Sequence, residues 1–125
     1  MTKPPPTLEE IREYEEALKE LSCAELQQWL ADGKPCSILD VRTEGEWLSH
    51  RLAAATLVPL SRLEERLDEV LALPGPLVVH CEHGVRSFDA SLYLIWQGRR
   101  DVFNLTEGLA SYRGPMELGA PDRRL

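Results

Sequence analysis

The stretch with the clearest chemical content is VVHCEHGVRS, residues 78–87. An apolar, β-forming run ends in a histidine and Cys81, and a short polar loop around Gly84 follows. A buried cysteine is usually only a small hydrophobe. A cysteine between a buried strand and the start of a helix instead lies where backbone N–H groups and the helix dipole favour an anion. Because such an environment favours the thiolate, the pattern predicts a cysteine nucleophile that attacks or holds an anion or a sulfur atom.

The residues after this cysteine are the predicted binding site. We expect segment 82–86 to form a strand-to-helix turn whose amides face the sulfur. Gly84 allows the chain to curl where a side chain would clash, and Arg86 adds a permanent cation with a planar set of donors. Of the two nearby histidines, His83 is expected to point to solvent and His80 to pack in the core. The predicted catalytic residue is Cys81, and the predicted substrate-binding residues are Glu82, His83, Gly84, Val85, Arg86 and Ser87.

Helical and extended patterns alternate along the chain. Serine or threonine followed three residues later by glutamate predicts helix starts near residues 7, 22 and 61, and short apolar runs between Gly and Pro residues predict strands. The predicted helices are 7–21, 22–34, 61–73 and 87–98, with a short one from 108, and the predicted strands are 36–41, 55–60, 77–80 and 101–105. This alternation predicts an α/β fold, with a central, mainly parallel sheet and helices on both faces.

This architecture places the candidate site at one edge of the sheet. Ligands of open α/β sheets bind beyond the carboxyl ends of the strands, where Cys81 lies. Asp40 and Arg42 end the first predicted strand at the same edge, and we expect them to brace the loop. The predicted organisation is a tail and helical extension at 1–20, one domain at 21–114 and a C-terminal tail at 115–125.

Composition narrows the function classes. The chain has 125 residues, which suits a single domain, and its net charge of −7 disfavours nucleic acid as a partner. It contains no apolar run of the roughly 20 residues that a membrane span requires. Its first residues contain no apolar segment typical of secretion, and its three cysteines do not suggest a disulfide framework. We therefore expect a cytoplasmic protein without a membrane partner. No cluster of metal-ligating residues stands out.

Three segments together resemble one family. CEHGVRS resembles the active-site loop of the single-domain, rhodanese-like sulfurtransferases: a cysteine, four residues, then Arg-Ser. ILDVRTEGEWLSHRLAAATLVPL resembles the first motif region of that family, and VFNLTEGLASYR resembles its closing region. The resemblance covers residues 21–114, with the motifs in the expected order, and implies a rhodanese-like α/β fold.

The resemblance implies sulfur transfer through a persulfide. Cys81 would take a sulfane sulfur from a donor such as thiosulfate and pass it to a thiophilic acceptor such as cyanide or a thiol. The implied partners are a small-molecule donor and acceptor, with a protein sulfur acceptor as a further candidate. The implied chemistry needs no metal and no organic cofactor.

The chain departs from the family pattern beside the nucleophile. Glu82 stands where relatives often have arginine, and its carboxylate is expected to disfavour a dianion such as thiosulfate. HRLAAA replaces a frequent Gly-His-Ile-Pro-Gly-Ala stretch, and Glu107-Gly108 replaces Gly-Gly.

Two other functions stay open at this point. Cysteine phosphatases and arsenate reductases use related loops, but phosphatase loops place five residues between cysteine and arginine, whereas four separate Cys81 from Arg86. The other alternative is a non-catalytic rhodanese-like binding module, although such modules usually lack the cysteine.

Overall fold

A five-stranded parallel sheet forms the centre of the molecule, as seen in a computed structural model that describes residues 3–119. The strand order is β1-β6-β5-β2-β4, and β3 and β7 form a separate antiparallel pair. The strands are β1 Lys19–Leu21, β2 Ser37–Asp40, β3 His50–Arg51, β4 Ala55–Leu57, β5 Leu77–His80, β6 Val102–Leu105 and β7 Glu117–Leu118. The helices are α1 Leu8–Ala17, α2 Cys23–Ala31, α3 Glu44–Ser49, α4 Leu67–Leu71 and α5 Val85–Trp96, with 3-10 turns at Leu60–Arg62 and Leu109–Ser111.

Helices cover both faces of this sheet, which confirms the predicted α/β architecture. All four residues of β5 are buried, as expected for a central parallel strand. Successive strand residues point to opposite faces, so Val79 packs into one apolar cluster and Val78 into another. The first cluster includes Tyr14 of α1 and Leu94 of α5, and the second includes residues of α2.

The predicted helix over 7–21 is wrong in its last turn. Helix α1 ends at Ala17 because Leu18 adopts an extended backbone, and Lys19–Leu21 then pairs with β6 as an edge strand. Ser22 and Glu25 form the predicted capping box and start α2 immediately afterwards. A three-residue strand between two helices is too short to show a period of two, so periodicity could not reveal it.

The predicted helix over 61–73 is also wrong. The segment forms a 3-10 turn and the short helix α4, and Arg66 between them has a non-helical backbone. Its guanidinium donates to the carbonyl of Leu57, which ties the break to β4. The capping bond predicted for Ser61 is absent, since the turn begins after Pro59 without a side-chain cap.

Besides β1, the short elements α3, β3 and β7 were not predicted. Thr43 and Glu46 form a capping box that starts α3, and β7 lies in a tail that was expected to be irregular. The predicted division at residues 20 and 21 stays a prediction, although Tyr14 and Leu18 of the proposed extension are buried in the core. Residues 120–125 of the proposed C-terminal tail, 115–125, lie outside the described residues. The same is true of the first two residues of the proposed N-terminal tail. Within 3–119, no helix has the length and apolar character needed to span a membrane.

Candidate active site

The sulfur of Cys81 lies over the amino-terminal end of α5. Cys81 follows the last residue of β5 and is 1% exposed. Its Sγ accepts hydrogen bonds from the backbone N–H of Gly84 at 3.1 Å and from that of Ser87 at 3.3 Å. Because the dipole of the 12-residue helix adds to these donors, the loop favours negative charge on sulfur.

Two glycines allow the tight packing of this loop. Gly84 has a φ of +90°, and a Cβ there would lie 2.1 Å from the carbonyl oxygen of Thr106. A Cβ on Gly108 would lie 2.2 Å from the carbonyl oxygen of Glu82. The loop that follows β6 therefore presses directly on the cysteine loop. It also donates the N–H of Leu109 to the Cys81 carbonyl at 2.9 Å.

Asn104 is a site residue that sequence reasoning missed. Ser87 Oγ lies 3.3 Å from Cys81 Sγ and donates to Asn104 Oδ1 at 2.6 Å, while Asn104 Nδ2 donates to the Gly84 carbonyl at 3.3 Å. Asn104 is 2% exposed and thus links both ends of the loop from inside the fold. The available signal was one polar residue inside the otherwise apolar strand VFNL, since a buried amide requires partners.

Glu82 faces Arg42 rather than open solvent. Arg42 is fully buried, and its Nε and Nη2 donate to the carboxylate of Asp40. Nη2 also donates to the His50 carbonyl, and Nη1 donates to Glu82 Oε1 at 3.2 Å. Burial alone would lower the pKa of Arg42, but the hydrogen bonds and charges of Asp40 and Glu82 raise it. Asp40 and Arg42, which were expected to brace the loop, thus contact it where Arg42 donates to Glu82. Their bracing role itself stays a prediction.

Arg86 is paired with Glu46, a second residue that sequence reasoning missed. Its Nη1 and Nη2 donate to the two carboxylate oxygens of Glu46 at 2.7 and 2.8 Å. These bonds are the main reason that the pKa of Glu46 is lowered to about 2. The donors expected to face a substrate are therefore occupied by a carboxylate of α3. The capping-box spacing of Thr43 and Glu46 is a signal for a helix start, and it gives no information on the pairing with Arg86.

The other predicted loop residues lie at the surface or in the core. His83 and Val85 are exposed. His80 is fully buried, its Nδ1 lies 3.3 Å from the Cys81 carbonyl, and burial lowers its pKa. His80 Nε2 has no hydrogen-bond partner within the described chain and lies 3.7 Å from Asp40 Oδ2.

The environment of Cys81 differs from that of the other two cysteines. Cys23 donates its thiol to the Gly108 carbonyl, and burial raises its pKa to about 11. Burial also raises the pKa of Cys36. Since both environments favour the thiol, neither residue is an equivalent nucleophile. Residues 3–119 contain no group of three or more His, Cys, Asp or Glu side chains placed to hold a metal ion.

Comparison with known proteins identifies the family. Residues 22–114 match the model of the rhodanese-like domain. The chain is 29% identical over 106 residues to a sulfurtransferase of Allochromatium vinosum, covering 84% of this chain and 98% of that protein. It is 27% identical over 89 residues to the thiosulfate sulfurtransferase GlpE of Coxiella burnetii, covering 70% and 82%.

A solved structure agrees with these relatives. The crystal structure of a rhodanese-like domain protein from Staphylococcus aureus superposes with a TM-score of 0.70 at 26% identity, covering 82% of this chain and 99% of that one. The strand order and the cysteine loop at the carboxyl edge of the sheet agree with the family match over residues 22–114. This chain belongs to the rhodanese-like domain family.

Proposed function

We propose that Cys81 carries sulfane sulfur as a persulfide between a donor and a thiophilic acceptor. The observation that supports this proposal is the position of Cys81 Sγ, which accepts two backbone N–H bonds at the start of α5. With thiosulfate, the thiolate attacks the outer sulfur, the S–S bond of the donor breaks and sulfite leaves with the bonding pair. Cyanide then attacks the outer sulfur of the persulfide, which forms thiocyanate and returns the thiolate.

The loop suits a single anionic sulfur atom. The amides of Gly84 and Ser87 donate to Cys81 Sγ, and fixed donors of this kind stabilise negative charge on sulfur without reorganising. Only four residues separate Cys81 from Arg86, and the fork of Arg86 is occupied by Glu46. Both features favour a sulfur atom over a tetrahedral phosphate, so we prefer sulfur transfer to phosphate hydrolysis.

The donor and the acceptor belong to this proposal as well. The name of the Coxiella burnetii relative supports thiosulfate as a donor. Cyanide or a thiol would serve as the acceptor, and a protein thiol is a further candidate partner. We place the reaction in the cytoplasm, where thiols stay reduced; the three cysteines, all within the described chain, are free.

The first prediction tests the transfer itself. Incubation of the reduced protein with thiosulfate or a small-molecule persulfide is expected to add one sulfur atom, and cyanide is expected to remove it as thiocyanate. Intact-mass spectrometry before and after cyanide measures both steps. Hydrolysis of an aryl phosphate by the same sample is expected to be negligible. A phosphatase rate above the rate of thiocyanate formation, or a mass unchanged by every donor, would overturn the proposal.

A second prediction concerns the charge of Glu82. Asp40, Arg42 and Glu82 together carry one net negative charge beside the loop, and Glu82→Gln removes it while keeping an oxygen that can accept from Arg42. We expect the KM for thiosulfate to fall about threefold at low salt, and the gain to shrink as salt screens the charge. Steady-state thiocyanate formation at two ionic strengths measures this change.

The control for Glu82 is an equal change of net charge at a distant site. Glu15→Gln on the exposed side of α1 should leave the KM unaltered. Glu82→Arg is less informative, since it would place a second cation against the buried Arg42. If Glu82→Gln leaves the KM for thiosulfate unchanged at low salt, Glu82 has no influence on the choice of donor.

A further inference from the structure

The charges around the loop differ from what its sequence suggests. Arg86 is the one cation within the loop motif 81–87, yet both of its terminal nitrogens donate to Glu46. The pair is bidentate, since each terminal nitrogen of Arg86 donates to a different carboxylate oxygen of Glu46, and this is the strong geometry for an arginine–carboxylate pair. Glu46 belongs to α3, an element separate from both β5 and α5.

Arg86 lies beside the nucleophile, since it directly precedes Ser87, whose N–H donates to Cys81 Sγ at 3.3 Å. Its pKa is raised first by hydrogen bonding to Glu46, and the charges of Glu46, Cys81 and Asp40 raise it further against the effect of burial. The side chain of Arg86 is 37% exposed and that of Glu46 is 31% exposed, so the pair lies at the surface of the site. A donor that approaches Cys81 would therefore meet the summed charge of the pair.

Both arginines beside the cysteine loop are neutralised. Arg42 is bound to Asp40 and Glu82, and Arg86 is bound to Glu46. Two guanidinium groups thus face three carboxylates, and the imidazole Nε2 of His50 also lies 3.5 Å from Glu82 Oε1. The backbone amides of the loop are therefore the main groups left to attract an anion. Such amides suit one sulfur anion, but they do not provide a full counter-charge for the distal group of a dianion.

We propose that Glu46 is a specificity-determining residue that neutralises Arg86 and thereby favours monoanionic organic sulfane-sulfur donors over the thiosulfate dianion. This inference rests on the proposed sulfur transfer and names its donor class. In such a donor, a thiosulfonate or an organic persulfide, the sulfur passes to Cys81 and a sulfinate or a thiolate leaves with the bonding pair. Atoms and charge balance without an added oxidant or reductant.

The test compares two charge-equivalent variants of α3. Glu46→Gln removes the neutralising charge, whereas Glu44→Gln removes an exposed carboxylate from the same helix that forms no ion pair with a described residue. Steady-state sulfur transfer is measured with thiosulfate and with methanethiosulfonate, which carry two charges and one. At low salt, Glu46→Gln is expected to lower the KM for thiosulfate about fivefold and that for methanethiosulfonate about twofold. Glu44→Gln should change neither.

A double variant separates specificity from folding. If the gain comes from the released charge of Arg86, Glu46→Gln combined with Arg86→Gln should return the KM for thiosulfate to the wild-type value or above it. If Glu46 only clamps α3 to the loop, Glu46→Gln would lower kcat equally for both donors together with the Tm. That outcome, or an unchanged ratio of the two KM values, would overturn the assignment.

A binding measurement keeps this inference separate from the proposed reaction. Thiosulfate titrated into the unreactive Cys81→Ser protein, followed by amide NMR shifts of residues 82–87, reports anion binding without chemistry. The Glu46→Gln change in that background is expected to tighten thiosulfate binding about fivefold. Tighter binding in a protein whose wild type takes up no sulfur would support the role of Glu46 and reject the sulfurtransferase. Unchanged binding beside a working sulfurtransferase would reject only the role of Glu46.

Discussion

Cys81→Ser is expected to abolish sulfur uptake completely, with no donor-derived mass and no thiocyanate above the level without protein. The hydroxyl of serine can accept from the same Gly84 and Ser87 amides, so the loop should keep its shape while the nucleophile is lost. A serine hydroxyl near neutral pH carries almost no negative charge, and a base is needed to activate it. Intact-mass spectrometry after exposure to thiosulfate measures the effect.

The other two cysteines provide matched controls for this loss. Cys23→Ser and Cys36→Ser make the same atomic change at thiols whose pKa values are raised by burial. Both variants should gain and lose one sulfur atom as the wild type does. Cyanide-removable sulfur on the Cys81→Ser protein would show that another residue is the acceptor.

Gly84→Ala has the second largest expected effect. An alanine would have to adopt a φ near +90° and would bring its Cβ to 2.1 Å from the Thr106 carbonyl oxygen. The strained backbone and the forced shift together should lower the free energy of unfolding by about 2–5 kcal/mol. The shift also displaces the N–H that binds Cys81 Sγ, so the sulfur-transfer rate should fall about a hundredfold. Chemical denaturation and steady-state kinetics measure these two effects.

Gly33→Ala isolates the backbone strain from the clash. Gly33 has a φ of +68°, but no atom lies within 4 Å of the position that a Cβ would occupy there. Its substitution should cost only about 1–2 kcal/mol and leave sulfur transfer unchanged, since only the left-handed conformation is penalised. Equal losses of stability in the two variants, with sulfur transfer intact in both, would show that the loop after β6 does not constrain the cysteine loop.

The sequence by itself determined the parts of the site that depend on neighbouring residues. An apolar run that ends in His80 before Cys81, a glycine in the loop and an amphipathic helix after it are local patterns, and the structure has β5, a left-handed Gly84 and α5 there. The α/β alternation likewise followed from periodicity. Predictions over short elements were wrong, as for β1 and the interrupted helix at 61–73, because three to five residues are too few to distinguish a period of two from a period of 3.6.

Only the tertiary structure decided which charged and polar side chains meet at the loop. Glu46 and Arg86, like Arg42 and Glu82, are 40 residues apart in the chain, and Asn104 reaches Ser87 from a neighbouring strand. Sequence patterns place such residues at the same edge of the sheet, but they do not show which rotamers and helix positions bring their atoms within hydrogen-bond distance. The physical reason is that an ion pair depends on separations of a few ångströms between separate elements. The packing of α3 and of the loop after β6 sets those separations.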